Sequence, residues 1–141
     1  MAEEGRSELS RLLGEVRALG LPAGNFMLFG SAPLLVRGIV PPTGDVDVLA
    51  RGPAWEAARA LGPTVRLPHY GVDVVRLLDG RIEIGTVWGI GNVDVDDLID
   101  SAEDIDGLPF AGLAHVRAYK ELAGRPKDRK HLRLLDAWEA H

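Results

Sequence analysis

The chain has 141 residues, a length that suits one folded unit expected to span residues 1–141, and 46% of them are hydrophobic, enough for a packed core. It has no cysteine, which excludes disulfides, thiolate metal sites and cysteine nucleophiles. No apolar run approaches the ~18 residues of a membrane span, the start MAEEGRSELS is too polar for a signal peptide, and a net charge of −5 argues against a nucleic-acid coat, so a soluble cytoplasmic protein without membrane contact is expected.

In chain order, residues 7 to 19 are predicted to form an amphipathic helix, with Leu9, Leu12, Leu13, Val16 and Leu19 on one stripe. Ser7 is placed to cap it and Gly20 to end it. Residues 26 to 29, FMLF, read as a short buried strand, and Gly30-Ser31 turns the chain into a small helix over 32–37. Pro41, Pro42 and Gly44 mark a loop. Residues 45 to 50 alternate, with Asp45, Asp47 and Leu49 on one face and Val46 and Val48 on the other. A helix follows over 53–61, opened by a proline. Residues 72–78 and 81–87 flank Asp79-Gly80, a strong hairpin signal. The acidic stretch 91–107 reads as a loop or short surface helix, and helices over 112–123 and 126–140 close the chain. The order α-β-α-β-α-β-β-α-α predicts an α/β (α+β) fold: one mixed β-sheet with helices packed on it.

Charge is uneven along this path. Residues 94 to 106 carry seven acids, whereas residues 120 to 133 carry six Lys and Arg, so one end can face an anion although the whole chain is acidic.

Side chains at i and i+2 of a strand share a face, so Asp45 and Asp47 are predicted to stand side by side. Unpaired carboxylates that close repel, and half-buried ones take up protons or destabilise the fold. A divalent cation removes the difficulty, because Mg²⁺ favours one or two carboxylates with substrate phosphates completing its shell. A solvated strand face would carry the same two acids. The preceding Gly30-Ser31 adds weight to the metal site: strand, Gly-Ser, helix sets backbone N–H groups and a hydroxyl where a phosphate can bind.

Gly30-Ser31, thirteen residues, then Asp45-Val46-Asp47 resembles the G-S…D-h-D signature of the nucleotidyltransferase superfamily with the polymerase-beta-like fold. PPTGDVDVL is similar to that family's approach to its acid strand, and HYGVDVVRLLDGRIEIGTV to the hairpin that carries its third carboxylate, which Glu83 matches. VRAYKELAGRPKDRKHLRLL is similar to the C-terminal helices of small stand-alone bacterial members, including those of abortive-infection and toxin–antitoxin systems. The resemblance covers roughly residues 8 to 138. It implies a nucleotidyltransferase fold and the transfer of a nucleoside monophosphate from an NTP to a hydroxyl, with release of pyrophosphate. In that scheme Asp45, Asp47 and Glu83 are the catalytic residues and the ligands of Mg²⁺ or Mn²⁺, with Glu83 also the candidate base. Gly30 and Ser31 hold the β- and γ-phosphates, and Lys120 and Lys127 join the nucleotide-binding set. Glu83 alternates with Ile82 and Ile84 as Asp47 does with Val46 and Val48, so three acids on one face can hold two metal ions. Asp73, on the first hairpin strand, is the rival third acid.

The acceptor is left open between an RNA end, a protein side chain and a small molecule, and a partner protein or a second copy is expected to help form its site. A rival from another class is a non-catalytic module of the same fold that binds a nucleotide or a partner, as an antitoxin or regulatory component.

Arg125 and Arg129 are further candidates for phosphate or RNA backbone, although Arg129, like Lys130 and Arg133, is expected to face solvent. The acidic stretch lacks the glycine and the spaced glutamate of a calcium loop. His69, His115, His131 and His141 form no H-x-x-x-H pair and read as structural or surface residues, although His69-Tyr70 precedes the hairpin and can lie near a pocket. Trp55, Trp88 and Trp138 read as core or helix-packing residues.

Overall fold

The computed structural model describes residues 2–68, 71–87 and 94–140. His69, Tyr70, Trp88 and His141 lie outside the described residues, as does the first part of the acidic stretch. Among the described residues six helices and seven strands follow in chain order: α1 (Ala2–Ala18), β1 (Phe26–Phe29), α2 (Ala32–Val36), β2 (Val46–Ala50), α3 (Pro53–Arg59), β3 (Thr64–Leu67), β4 (Val72–Leu77), β5 (Ile82–Gly85), α4 (Val95–Asp100), β6 (Glu103–Ile105), β7 (Leu108–Phe110), α5 (Leu113–Ala123) and α6 (Pro126–Glu139). The expected mixed α+β architecture is present. No described helix is long and apolar enough to cross a membrane.

All seven strands form one sheet in the order β3-β4-β5-β2-β1-β7-β6. β2 is the central strand, antiparallel to β1 and parallel to β5, and β1 is parallel to β7. Alternation divides the β5-β2 region cleanly. Val46, Val48, Ile82, Ile84 and Val75 are buried in the apolar core with Leu9, Leu12, Leu13 and Val16 of α1. The other face carries Asp47 on β2, Glu83 on β5 and Arg76 on β4, each paired in register with the next. A polar row therefore crosses three strands, opposite the face on which Val46, Val48, Val75, Ile82 and Ile84 are buried.

Several boundaries differ from expectation. Helix α1 begins at Ala2, so Ser7 lies inside it and is not its cap. Strand β2 begins at Val46, which puts Asp45 at the strand's entrance. At the expected hairpin the last pair is Leu77 with Ile82, so four residues, 78 to 81, make the connection. Leu78, Asp79 and Gly80 all have positive φ there, a longer loop than the two-residue Asp-Gly turn.

The strands β3, β6 and β7 have no counterpart in the sequence reading. β3 is an exposed edge strand of four residues, too short and too open to show an alternating pattern. β6 and β7 are three residues each, joined by Asp106-Gly107, both at positive φ. This is the two-residue turn that Asp-Gly specifies, and its first strand lies hidden in an acidic run. The acids there are also not merely solvated: Arg51 reaches from the end of β2 to Asp96 at 2.8 Å and Asp100 at 2.6 Å on α4. Trp55 packs partly against the core, but Trp138 is an exposed residue of α6.

Candidate active site

At the end of β1 the chain reverses at Gly30, whose φ of +66° is one that other residues rarely adopt. A Cβ at this position would stand 2.8 Å from Oδ2 of Asp47 on the neighbouring strand. Glycine is thus required twice, by the turn and by the close approach of the carboxylate. Ser31 follows as the N-cap of α2, but its side chain makes no cap bond. Its hydroxyl instead lies 3.4 Å from Nζ of Lys120 and 3.4 Å from Nδ1 of His131. Because α2 has only five residues, positive charge at this spot comes chiefly from side chains and little from the helix end.

Asp45, Asp47 and Glu83 line one cavity with Gly30, Ser31, Lys120 and Lys127. All seven residues singled out in the sequence therefore meet, from segments up to about a hundred residues apart. Register sets Asp47 directly beside Glu83 on the parallel strand. Burial pushes the Asp47 carboxyl up from 3.8 to about 6, and the charges of Asp45 and Glu83 push the same way. Lys127 and Arg125 pull it down. Among the described residues no N–H or O–H group hydrogen-bonds the Asp47 carboxylate. It is a half-buried, unpartnered oxygen donor facing a cavity.

Glu83 is different. Nε of Arg76, its register partner on β4, lies 2.9 Å from its Oε2. Consistent with this, among the described residues no three carboxylate or histidine side chains stand close enough together to hold a metal ion. Asp73 alternates onto the opposite face of β4 from Arg76, pairs with Arg66 at 3.2 Å and does not line the cavity. The oxygen donor set around Asp47 fits a hard divalent cation in chemistry. Asp45, Asp47 and Glu83 all line the cavity, and the Glu83 carboxylate is engaged by Arg76.

The opposite wall is cationic. Lys120 of α5 and Asp128 of α6 are almost fully buried and form an ion pair of 3.2 Å. Arg125 donates to Asp128 through Nε at 2.6 Å and through its backbone N–H at 3.1 Å, closing the start of α6. Burial lowers the Lys120 pKa, opposed by Asp128. Burial would raise Asp128, but the Arg125 hydrogen bond and the Lys120 charge outweigh it and hold the carboxyl below its usual range. Lys127 is exposed at the cavity edge, and Tyr119 and Arg125 also line it, with the guanidinium 5.9 Å from the ring centre. Arg129 bonds the Gly124 carbonyl and does not line the cavity, and Lys130 and Arg133 are exposed as expected.

His131 is the residue sequence reasoning missed. Burial, and after it the charges of Lys120 and Lys127, lower its pKa from 6.5 to about 4, so at neutral pH the ring beside Ser31 is uncharged. A faint signal exists: Asp128, His131 and Leu135 recur at helical spacing on the inward stripe of α6. The apolar side of the cavity, Leu67, Val72, Val74 and Val87, was equally unmarked, since part of it comes from the unforeseen strand β3. No family model and no curated protein matches this chain, so the arrangement of these side chains is what bears on its chemistry.

Proposed function

We propose that this cavity binds a nucleoside triphosphate with Mg²⁺ or Mn²⁺, in a nucleotidyltransferase fold, and transfers the nucleoside monophosphate to a hydroxyl acceptor. The observation that carries the proposal is Asp47: an unpartnered carboxylate raised to about 6, flanked by Asp45 and Glu83, and facing Ser31, Lys120 and Lys127 across one cavity. Acids on one wall and cations on the other suit a ligand that is both metal-bound and polyanionic. Asp45 and Asp47 would hold the cation, joined by Glu83. Such an ion supplies charge neutralisation at the phosphates and a lowered pKa for a bound hydroxyl. Ser31, Lys120 and Lys127 bind and orient the phosphates, while the buried Asp128 fixes where the Lys120 ammonium sits. In the transfer, the acceptor oxygen bonds to the α-phosphorus, the bond from that phosphorus to the pyrophosphate oxygen breaks, and the hydroxyl proton leaves to a carboxylate of this cluster. The acceptor is an RNA end, a protein side chain or a small molecule, and a partner protein or second copy completes its site.

One observation favours a second reading. Glu83 is tied to Arg76, so the described chain offers no finished three-acid site. A non-catalytic module that binds nucleotide, or a partner in a toxin–antitoxin or regulatory pair, needs no third ligand. Incubating labelled NTP with Mg²⁺ or Mn²⁺ and a broad set of acceptors separates the two. The enzyme releases pyrophosphate, and Asp47→Ala removes that release while weak nucleotide binding persists, because charge developing at phosphorus feels the carboxylate more than the ground state does. Binding without pyrophosphate release selects the module. Absence of NTP binding by the wild type overturns the enzyme and the nucleotide-binding module and leaves the partner-binding module.

A further inference from the structure

We infer that Arg76 is a positioning residue that holds Glu83 away from the cation site, so that the resting cavity is a two-carboxylate site and becomes a three-carboxylate site only when this ion pair opens. The inference rests on the divalent-cation part of the proposed function and concerns which of the chain's own groups compete for Glu83. Asp47, Glu83 and Arg76 occupy one cross-strand row, each in register with its neighbour. Adjacent strands lie about 4.8 Å apart, so the Glu83 side chain starts midway between a carboxylate and a guanidinium. It has gone to the guanidinium, at 2.9 Å.

The Arg76 head is itself seated. The guanidinium packs over Gly80 in the hairpin loop so closely that a Cβ there would overlap it, and Gly80 has a φ of +86°. The loop that presents β5 thus also provides the notch for the group that occupies Glu83. The pair is not locked, however. Arg76 is 46% exposed and Glu83 25%, and ion pairs open to water are weak. A doubly charged ion held by Asp45 and Asp47 can compete with one guanidinium for Glu83. Breaking the pair is the conformational step between the cavity as described and a cavity with three oxygen donors.

Mn²⁺ binding to the full chain, followed by the loss of its free-ion EPR signal, tests this without any turnover. Four proteins are compared, wild type, Arg76→Gln, Glu83→Gln and the double variant, with Asp47→Asn as the control for the cation site. Arg76→Gln is expected to tighten Mn²⁺ binding roughly tenfold. Glu83→Gln should weaken binding several-fold more in the Arg76→Gln background than in the wild type, removing the gain. A charge effect acting only through space would instead give additive changes, and additivity overturns the inference. If the wild type binds Mn²⁺, loses it on Asp47→Asn and is indifferent to Arg76→Gln, the inference falls while the cation site stands. If none of the four binds Mn²⁺ at millimolar concentration, both fall.

Discussion

Single residues set the character of the cavity. Gly30 combines a left-handed backbone with a 2.8 Å clearance to Asp47, and either alone disfavours a side chain. Gly30→Ala is expected to lower stability by about 1–2 kcal/mol from the backbone term, with a further loss as the Asp47 carboxylate is displaced, read as a reduced midpoint in urea. Asp47 and His131 carry opposite pH dependences. The Asp47 pKa is raised, so between pH 3.8 and about 6 the folded chain binds more protons than the unfolded one and stability falls as pH rises. The His131 pKa is lowered, so between about 4 and 6.5 the unfolded chain binds more protons and stability falls as pH drops. In the wild type the two offset each other over the shared window. Asp47→Asn should therefore gain stability over wild type as pH rises to 6 and hold the gain above it, by up to about 3 kcal/mol. His131→Gln should gain over wild type as pH falls from 6.5 to 4. Urea titrations at each pH read both slopes, and parallel profiles for the two variants would refute the assignment.

Between elements, the fastening of α5 to α6 is electrostatic as well as apolar. Lys120 and Asp128 are buried at 1% and 0% exposure, yet the two are not equivalent. Asp128 has three further contacts from Arg125: its backbone N–H, Nε and the second guanidinium nitrogen. Among the described residues the Lys120 ammonium has only Asp128 and the long contact to Ser31. Removing Asp128 therefore leaves a buried ammonium without its counterion and undoes the start of α6. Asp128→Ala is expected to destabilise by about 3–5 kcal/mol. Lys120→Met leaves the carboxylate bonded to Arg125 and should destabilise by only about 1–2 kcal/mol. Chemical denaturation of the pair checks the order, and equal losses would mean that Arg125 does not hold Asp128.

For the whole molecule, the consequence of the topology is that one cavity is assembled from β1, β2, β3, β4, β5, α5 and the start of α6. A ligand that fills it ties the centre of the sheet to the C-terminal helices. Binding to the folded state alone raises stability by RT ln(1 + [L]/Kd), about 2.7 kcal/mol at a hundredfold excess over Kd. NTP with Mg²⁺ should accordingly raise Tm, and the Asp45→Asn/Asp47→Asn double variant should lose the metal-dependent part of the rise. A double variant with an unchanged response to Mg²⁺ would move the ion away from this face of β2.

Local pattern in the sequence was enough to determine β1, the Gly30-Ser31 turn, the place of Asp47 on β2, the two strands β4 and β5 of the pair that carries Glu83, and the two closing helices. Each of these depends on relations within a few residues: period-two alternation, a glycine at a turn, a proline in a first helical turn. The tertiary structure alone decided which segments became neighbours. β3 and the β6-β7 pair exist because another strand offers them an edge, and their own three or four residues carry too little pattern to announce it. His131 reaches Ser31 across a hundred residues, and no spacing rule spans that distance. The fate of Glu83 shows the same division most sharply. Alternation along β5 put it on the face of Asp47, but whether its carboxylate joins Asp47 or Arg76 depends on the register of β5 between β2 and β4 and on the space left by Gly80. Strand pattern is a property of one segment, whereas charge pairing is a property of two, fixed only when the sheet closes.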